Sequence, residues 1–536
     1  MTTAKTSNTL QLLTILCISF TSSCSASSTT DDAFLSCLAE EVPPSLILTP
    51  SSSSYETFLT SSIRNLRYAL PGTPRPFALV EAAEHSHVQA TVRCGRRHGV
   101  RVRTRSGGHD YEGVSSASAD SHERFALLDI GALRAIHVDA ARAEAWAESG
   151  ATVGELYYAV GTASRTLGFP AGTCPSVGLG GHLSGGGIGM LAREYGLGSD
   201  NVLDALVVDA DGRLLNRSTM GEDHFWAIRG GGGGSFSIVL SWKLRLVRVP
   251  ERISVFTINR SRNQSAVDLI TKWQEIASAL PSDIVLRVLV ENQQARFVAQ
   301  YLGPCHRLLH LMRTRFPELG MTRQDCEEIS WIQSTVYNHV VHYQSIDWRS
   351  KPLEVLLERT DKPDVYLKAK SDYVLEPMPR HAWESLWAWI EKPEAGPLAL
   401  DPLEGMMGNI SPSATPFPHR KGNLFQIEYY SVWYVNDGPS ASKHIRWVRE
   451  LHKEMEPYVS KNPRAVYVNY RDLDLGTNEL EGNVTSYAKG RIWGEKYFKG
   501  NFQRLAAVKA MVDPEDFFRH EQSIPPLPAT QGRSVI

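Results

Sequence analysis

The sequence has almost no net charge, few cysteines and no long apolar run after its first residues. Its 56 basic and 58 acidic residues nearly cancel over 536 positions, and neither sign forms a long run. Such a balance does not predict nucleic acid or an anionic membrane as the partner. No segment after the N-terminal one is apolar for long enough to be a membrane helix. We find no internal repeats, and we expect no metal site.

The N-terminus has the three parts of a secretory signal peptide. Lys5 precedes the apolar run 10–20, which is followed by small residues up to a cleavage site near Ala26. We therefore exclude residues 1–27 from the fold and expect secretion, to the cell wall or to the vacuole. Five Asn-x-Ser/Thr sequons agree with a glycoprotein and begin at Asn216, Asn259, Asn263, Asn409 and Asn483.

Seven cysteines are present, and Cys17 and Cys24 lie in the signal. The five that remain are an odd number, so at least one is free or committed to something other than an intramolecular disulfide. Cys305 and Cys326 are close enough in sequence to pair, but a buried free thiol at Cys326 explains the pattern equally well.

The length predicts at least two domains, and the pattern predicts an α+β fold. Residues 28–249, with a core at about 74–249, mix short strands and helices, including a helix over 86–99 capped by Ser86 and a second helix opened by a Thr152–Glu155 capping box. Residues 250–475 form a second domain with an aromatic strand over 424–433. Residues 476–527 are too few to fold alone and are expected to pack back on the first domain, before a tail of 528–536.

Three glycine clusters stand in the first domain, at 106–108, 178–189 and 230–234. Consecutive glycines expose backbone N–H groups that can bind an anion, so they predict a ligand with a pyrophosphate and a large flat body. None has the Rossmann spacing, and no Walker A sequence is present. Flexible loops are the alternative interpretation, but one histidine and one cysteine, His109 and Cys174, lie within or beside these clusters.

Several motifs together resemble the plant berberine bridge enzyme-like family of FAD-linked oxidases. They are RSGGHDYEG, GFPAGTCPSVGLGGHLSGGG, GEDHFWAIRGGGGGSF, FPHRKGNLF, YVNYRDLDLG and the closing NFQRL and VDPEDFFRHEQSIPPL. The resemblance extends from about residue 37 to 527. It implies a PCMH-type FAD-binding domain and a substrate domain built on an antiparallel sheet covered by helices, in a protein expected to be a monomer.

The resemblance also implies how the cofactor is held. In that family the corresponding histidine and cysteine bond to the flavin 8α carbon and to flavin carbon 6, so FAD is expected to be bound at both His109 and Cys174. The disulfide implied near the start of the domain is Cys37–Cys94. The further residues expected at the cofactor are Arg105, Ser106, Gly107, Gly108, Asp110, Gly172, Val177, Gly178, Gly181, His182, Gly185, Gly187 and Asn501.

The chemistry expected is transfer of a hydride from a small alcohol, alkaloid, phenolic or oligosaccharide to flavin, with a side chain accepting the proton. Gln426 and Glu428 share one face of the strand 424–433, and we predict Glu428 as the proton acceptor. Tyr470 would need a lowered pKa to act as a tyrosinate base. The remaining candidates are Tyr111 for catalysis and Gln426, Ile188 and Tyr467 for substrate binding.

Two positions bear on the type of reaction. Ile188 stands where many relatives have a tyrosine, and DPLEGMMGNI at 401–410 replaces a common Tyr-Gly-Gly pattern, so the pocket is expected to differ from theirs. Val177 is small and lies where some relatives control oxygen access, which favours an oxidase that produces hydrogen peroxide. A dehydrogenase that uses another electron acceptor, and a flavin-carrying glycoprotein with little turnover, are the alternatives.

Overall fold

The structure is a computed structural model that describes residues 30–120, 123–342, 347–359, 365–435 and 438–529. The predicted signal peptide and most of the predicted tail lie outside these ranges. A first sheet has the order β1-β2-β4-β3, in which β2, β4 and β3 are parallel. Its strands are β1 (Ile47–Leu48), β2 (Ala78–Glu81), β3 (Arg101–Arg105) and β4 (Phe125–Asp129), and the nearby helices are α1 (30–39), α2 (Tyr55–Ser61) and α3 (His85–His98).

A second, antiparallel sheet has the order β5-β6-β10-β8-β9, and β7 pairs separately with β11. The strands are β5 (Ile136–Asp139), β6 (Glu144–Glu148), β7 (Leu167–Gly168), β8 (Val202–Val208), β9 (Leu214–Leu215), β10 (Ile238–Arg245) and β11 (Val247–Arg248). The helices between them are α4 (Val153–Ala163), α5 (Leu179–Ser184), α6 (Ala192–Tyr195), α7 (Arg217–Met220) and α8 (Glu222–Ile228).

The second half of the chain forms an antiparallel sheet with the order β15-β12-β14-β13-β17-β18-β16. The strands are β12 (Ile253–Ser261), β13 (Ile284–Glu291), β14 (Gln294–Tyr301), β15 (Glu327–Ile329), β16 (Tyr366–Val374), β17 (Leu398–Pro402) and β18 (Phe425–Trp433). The helices are α9 (Ala266–Ile276), α10 (Cys305–Arg315), α11 (Trp331–His342), α12 (Arg380–Ile390), α13 (Met406–Asn409) and α14 (Gly438–Glu454).

One face of this sheet is packed against helices α9, α12 and α14, and the other face is covered only in part, by α11. Ile427 and Tyr429 of β18 share a buried cluster with the fully buried tryptophans Trp273 of α9, Trp383 of α12 and Trp447 of α14. Because side chains alternate along a strand, the intervening Glu428 points away from these helices. This is the antiparallel sheet covered by helices that the resemblance implies.

The C-terminal segment contains β19 (Leu480–Glu481), β20 (Val484–Thr485), α15 (Tyr487–Phe498) and α16 (Asn501–Val512). It contacts the first half of the chain, since buried Leu505 packs in one cluster with Phe236 and the Lys509 ammonium donates a 2.7 Å hydrogen bond to the Ser235 carbonyl. The domain boundaries given above remain a proposal. Within the described residues, no helix is both long and apolar enough to cross a membrane.

Sequence signals predict two helix ends correctly and a third incorrectly. The capping box of α4 is confirmed, because Thr152 Oγ1 accepts from the Glu155 N–H and the Glu155 carboxylate accepts from the Thr152 N–H. Gly99 ends α3 with a φ of 66°, in the left-handed region that glycine adopts freely. The prediction that Ser86 caps α3 is wrong, since the helix already begins at His85 and Glu84 is the N-cap residue.

Two disulfides are present among the described cysteines. The Cys37–Cys94 bond joins α1 to α3 and confirms the pair that the resemblance implied. Cys305 and Cys326 also form a disulfide, with their Cα atoms 5.9 Å apart, so a free thiol at Cys326 is wrong. Cys174 is left as the free cysteine within the described ranges.

Candidate active site

A cavity of about 900 Å³ lies between the glycine-rich loops of the first half and the open face of the seven-stranded sheet. It collects most of the predicted site residues, although they come from distant parts of the sequence. Those that line it are Ser106, Gly107, Gly108, His109, Asp110, Tyr111, Gly172, Cys174, Val177, Gly178, Gly181, His182, Ile188, Glu428, Tyr467 and Tyr470.

Two of the predicted cofactor residues have structural roles away from the cavity. Arg105 is fully buried, pairs with Asp129 at 2.5 Å and donates to the Leu59 carbonyl at 2.6 Å. The Asn501 amide donates to the Pro412 carbonyl at 2.7 Å and to two neighbouring carbonyls, at the start of α16. Neither residue lines the cavity, and their contact with the cofactor stays a prediction.

Gly185 and Gly187 also lie behind the cavity wall rather than on it. A Cβ at Gly185 would stand 1.9 Å from the Asn469 side-chain oxygen, so glycine is required there by a close approach between two loops. The Gly187 N–H donates a 2.9 Å hydrogen bond to the Tyr467 hydroxyl. Both glycines therefore support the wall, and Tyr467, which is almost completely buried, holds the glycine loop from behind.

His109 and Cys174 lie next to each other on one wall of the cavity. The Ser176 hydroxyl is 3.1 Å from His109 Nε2 and 3.5 Å from Cys174 Sγ, so both side chains contact the same serine. Burial, together with the positive charge of Arg64, lowers the pKa of His109 to about 3. The imidazole is therefore neutral near neutral pH and keeps a lone pair available for bonding.

Backbone packing between two glycines brings this histidine and this cysteine together. A Cβ on Gly107 would stand 2.4 Å from the Gly178 nitrogen, and a Cβ on Gly178 would stand 2.3 Å from the Ser106 hydroxyl oxygen. No real Cβ contact is so short, so the two loops can meet only without side chains at these positions. Part of the glycine signal therefore reports loop packing rather than ligand contact.

The second part of the glycine loop is held by a neutral histidine. His182 Nε2 accepts a 3.0 Å hydrogen bond from the Gly172 N–H, and burial lowers the pKa of His182 to about 4. The Asn469 amide donates to the His182 carbonyl at 3.0 Å. These bonds fix the segment that carries Cys174.

A buried ionic network supports the loop that carries His109 and Tyr111. Arg471 pairs with Asp110 at 2.7 Å, and the Lys368 ammonium bonds both Glu112 and Asp472, the latter at 2.7 Å. Lys368 lies on β16 of the seven-stranded sheet, so the network joins the two halves of the chain. Nothing in the local sequence pattern signals these partners.

Glu428 is the buried carboxylate of the cavity, and two tyrosines accompany it. The Tyr111 hydroxyl donates a 2.8 Å hydrogen bond to Glu428 Oε1, and the Tyr111 and Tyr470 rings stack with centroids 5.8 Å apart at an interplanar angle of 5°. Burial raises the pKa of Glu428 from 4.5 to about 7. A carboxyl with this pKa is poised to exchange a proton near neutral pH.

The tyrosines themselves are not poised to lose a proton. Burial and the negative charge of Glu428 raise the pKa of Tyr111 and of Tyr470 well above the ordinary value of 10. The lowered pKa that a tyrosinate base at Tyr470 requires is therefore not found, and both side chains act as neutral hydroxyl donors. Gln426 shares the face of Glu428 but does not line the cavity, and within the described residues its Oε1 has no hydrogen-bond partner.

An ion pair between Arg287 and Asp401 completes this end of the cavity. Arg287 Nε lies 3.0 Å from Asp401 Oδ1, and both residues line the cavity wall. Arg287 escaped sequence reasoning because nothing in the pattern of a buried strand singles it out. Asp401 lies in the segment DPLEGMMGNI, which the sequence marked as unusual without assigning a role to this carboxylate.

The residues present fit the flavin that the sequence resemblance implies. The cavity volume is at the upper end of the roughly 300–1,000 Å³ typical of ligand pockets. A Cβ on Gly181 would meet no atom within 4 Å and would instead occupy part of the cavity. A neutral imidazole and a free thiol on one wall are the two nucleophiles that a double covalent attachment needs.

Comparison with known proteins agrees with this site. The family model for the FAD binding domain matches residues 76–218, and the berberine and berberine-like model matches residues 466–525. Both matched segments contribute residues to the cavity: the first contributes His109 and Cys174, and the second contributes Tyr470.

Relatives cover nearly the whole chain. Berberine bridge enzyme-like Cyn d 4 of Cynodon dactylon is 50% identical over 92% of this chain and 93% of that protein. Monolignol oxidoreductase AtBBE-like 13 of Arabidopsis thaliana is 44% identical, with 96% and 97% covered. The solved structure of Phl p 4, described as a grass pollen allergen with glucose dehydrogenase activity, superposes with a TM-score of 0.88 at 48% identity, covering 92% of this chain and 99% of that one.

The Phl p 4 structures also include a variant in which one isoleucine is replaced by valine. It is described as a glucose oxidase, whereas the wild-type protein is described as a glucose dehydrogenase. The identities and coverage establish kinship along the full described fold. This chain belongs to the berberine bridge enzyme-like family of FAD-linked oxidoreductases.

Proposed function

We propose that this protein is a secreted oxidase whose FAD is attached at both His109 and Cys174. When bound, the FAD group accepts a hydride from a small substrate and passes the electrons to oxygen, which yields hydrogen peroxide. The observation that carries the proposal is that one cavity holds a neutral imidazole, a free thiol and a carboxyl with a pKa of about 7.

The attachment is supported by the state of both side chains. His109 is uncharged near neutral pH because burial lowers its pKa, so its ring nitrogen remains nucleophilic. Cys174 is half-buried and takes part in no disulfide. Two anchors in different loops fix the orientation of a flat ring system more firmly than either anchor alone.

Glu428 is the residue that we propose as the proton acceptor. Its carboxylate takes the proton from the hydroxyl, amine or phenol of the substrate, and its pKa of about 7 matches that task near neutral pH. Tyr111 donates to Oε1, which orients the carboxylate and favours its charged form. Tyr470 stacks on Tyr111 and presents a second neutral hydroxyl to the site.

The lining supports a hydroxylated substrate, such as a small alcohol or an oligosaccharide, ahead of an alkaloid or a simple phenolic. Arg287, Asp401 and Glu291 line the wall and offer charged groups to hydroxyls. Ile188 lines the cavity too, and its side chain supplies no hydroxyl to assist deprotonation of a phenol. Tyr467 supports the wall, so we assign it a structural part rather than a direct one.

Oxygen as the electron acceptor is supported by Val177. This side chain lines the cavity three residues beyond Cys174. In Phl p 4 an isoleucine-to-valine replacement accompanies the change from a glucose dehydrogenase to a glucose oxidase. A dehydrogenase is the second candidate, because the wild-type Phl p 4 is described as one. The rate at which the reduced protein reoxidises in air separates the two.

Passage through the secretory pathway is supported by the disulfides and by the exposure of the glycosylation sequons. Two disulfides are formed, as is usual for proteins of oxidising compartments. All five sequon asparagines are exposed and accessible to glycosylation: Asn216, Asn259, Asn263, Asn409 and Asn483. We propose that the protein acts as a monomer.

A substrate screen on the purified flavoprotein tests this function. Sugars, oligosaccharides, aromatic alcohols and alkaloids are added without oxygen, and loss of the flavin colour is followed. The proposal expects bleaching by at least one hydroxylated compound and rapid return of colour with peroxide formation in air. Bleaching that persists for minutes in air would instead establish the dehydrogenase.

A further inference from the structure

Asp401 and Arg287 occupy adjacent strands of the seven-stranded sheet, on its cavity face. Arg287 Nη2 donates a 3.2 Å hydrogen bond to Asp401 Oδ2, besides the 3.0 Å contact between Nε and Oδ1. The Arg287 and Asp401 side chains are 10% and 19% exposed. The pair is thus held by one hydrogen bond and by the charge contact between Nε and Oδ1, which has no hydrogen-bond geometry.

Glu428 lies on the next strand, β18, beside this ion pair. The register places Ala399 of β17 opposite Glu428 and Asp401 opposite Gln426, two residues along the strand. On the other side, Ser371 of β16 is opposite Glu428 and carries no charge.

Within the described residues, the groups with the largest effects on the Glu428 pKa come from four different parts of the chain. Tyr111 comes from the loop after β3, Tyr470 from the C-terminal segment, Arg287 from β13 and Asp401 from β17. The Asp401 charge raises the pKa of Glu428 and the Arg287 charge lowers it, so the two oppose each other.

We propose that Asp401 is a positioning residue that holds the Arg287 guanidinium in an ion pair and thereby prevents it from pairing with Glu428. This inference rests on the proposed function, in which Glu428 accepts the substrate proton. A guanidinium bonded to Glu428 would stabilise the carboxylate and make it a weaker base.

The physical reason is that a buried guanidinium requires a partner. An unpaired charge in a poorly hydrated wall is costly, so Arg287 will bond the nearest carboxylate that is available. With Asp401 present, that demand is met on the neighbouring strand. Without it, Glu428 is the wall carboxylate left for Arg287, because Glu291 is already paired with Arg296 at 2.7 Å.

Two single variants should shift in opposite directions and the double variant should shift little, a pattern that a merely structural role would not give. The rate of flavin reduction is expected to fall at low pH as Glu428 becomes protonated, and this fall is called the acid limb. Asp401→Asn releases Arg287 to Glu428 and should move the acid limb down by about one to three pH units. Arg287→Gln leaves Asp401 without a counterion and should move that limb up. Asp401→Asn combined with Arg287→Gln removes both charges and should return it close to the wild-type position.

The experiment uses the intact flavoprotein and two readouts. Anaerobic reduction by the best substrate of the screen is measured from pH 5 to pH 9, and titration of the Glu428 carboxyl is followed by its infrared carbonyl band, assigned with Glu428→Gln. Flavin content and thermal midpoint are compared at one pH to monitor folding. The inference is supported if Asp401→Asn lowers the limb by more in the wild type than in the Arg287→Gln background, in both readouts. An equal effect in the two backgrounds overturns it, because loss of the Asp401 charge alone would act equally in both.

Shifts in the same direction, or no shift in either single variant while flavin content is normal, would overturn it. Failure of the proposed function is recognised separately, because Glu428→Gln would then reduce the flavin as fast as the wild type. If one single variant does not fold, the other single variant and the double variant still test the inference. It requires these two to differ in the position of the acid limb.

Discussion

The Tyr111 hydroxyl donates a 2.8 Å hydrogen bond to Glu428 Oε1 across 317 positions of sequence. Tyr111 belongs to the loop that carries His109, and Glu428 belongs to the central part of β18. The bond therefore joins the loop expected to hold the cofactor to the strand expected to receive the substrate proton. Its consequences for charge and for stability can be measured.

The rate of flavin reduction should depend on the ionisation of Glu428. Because the carboxylate is the acceptor and its pKa is about 7, the rate should fall as pH drops below 7. Glu428→Gln should lose about 10²- to 10⁴-fold at pH 8 and show no acid limb. Anaerobic stopped-flow reduction from pH 5 to pH 9 measures both effects. An unchanged acid limb in Glu428→Gln would assign it to another group.

Removing the Tyr111 hydroxyl should shift this limb upward. The hydrogen bond favours the charged carboxylate and lowers the pKa of Glu428, so Tyr111→Phe should raise it. Tyr366→Phe is the matched control, because Tyr366 stacks on Trp433 at the outer end of the sheet and its hydroxyl does not act on Glu428. A downward shift in Tyr111→Phe would contradict the geometry.

Burying Glu428 should reduce stability at alkaline pH. Its pKa is raised from 4.5 to about 7 in the folded protein. The buried charge therefore lowers the free energy of unfolding as pH rises from 4.5 to about 7, and the full loss is present above that pH. Glu428→Gln should therefore gain roughly 3 kcal/mol relative to the wild type between pH 4.5 and pH 8. Denaturant unfolding of both flavoproteins at several pH values measures this difference, and a constant difference would contradict the raised pKa.

Val177 should control the reaction with oxygen but not the reaction with substrate. Val177→Ile adds one methylene to the cavity wall and should slow reoxidation at least tenfold, which corresponds to about 1.4 kcal/mol in barrier. Val177→Ala serves as the control for a change of packing and should reoxidise at least as fast as the wild type. Air-mixing of the photoreduced proteins gives the rates. Equal rates in all three would show that oxygen reaches the flavin by another path.

Much of the site could be predicted because short motifs carry their chemistry with them. The family resemblance carried by the motifs around His109 and Cys174 implied that these side chains and the strand face of Glu428 meet at one site, and all three line the cavity. Arg105 and Asn501 belong to the same motifs, but in the structure they donate to backbone carbonyls outside the cavity lining. A sequence motif does not show whether one of its residues contacts the ligand or another part of the chain.

The remaining features depend on pairs that meet only in three dimensions. Arg287 and Asp401 are 114 positions apart, and their charges act on Glu428 only because β17 lies between β13 and β18. The Tyr470 pKa is likewise raised only because the folded chain buries this side chain beside Glu428. Local sequence periodicity contains neither the pairing of strands nor the depth of a group.

The attachment of the cofactor is the claim on which the account rests most heavily. His109→Ala and Cys174→Ala should each retain flavin after denaturation, because the other bond remains. The protein with both replacements should release it. Ser176→Ala is the matched control, since Ser176 contacts both side chains but forms no covalent bond.

The most direct measurement is a peptide mass map of the wild-type protein, purified without reducing agent. We expect the peptide containing His109 and the peptide containing Cys174 to be recovered joined through one FAD. Recovery of both peptides at their unmodified masses from a fully yellow protein would contradict it.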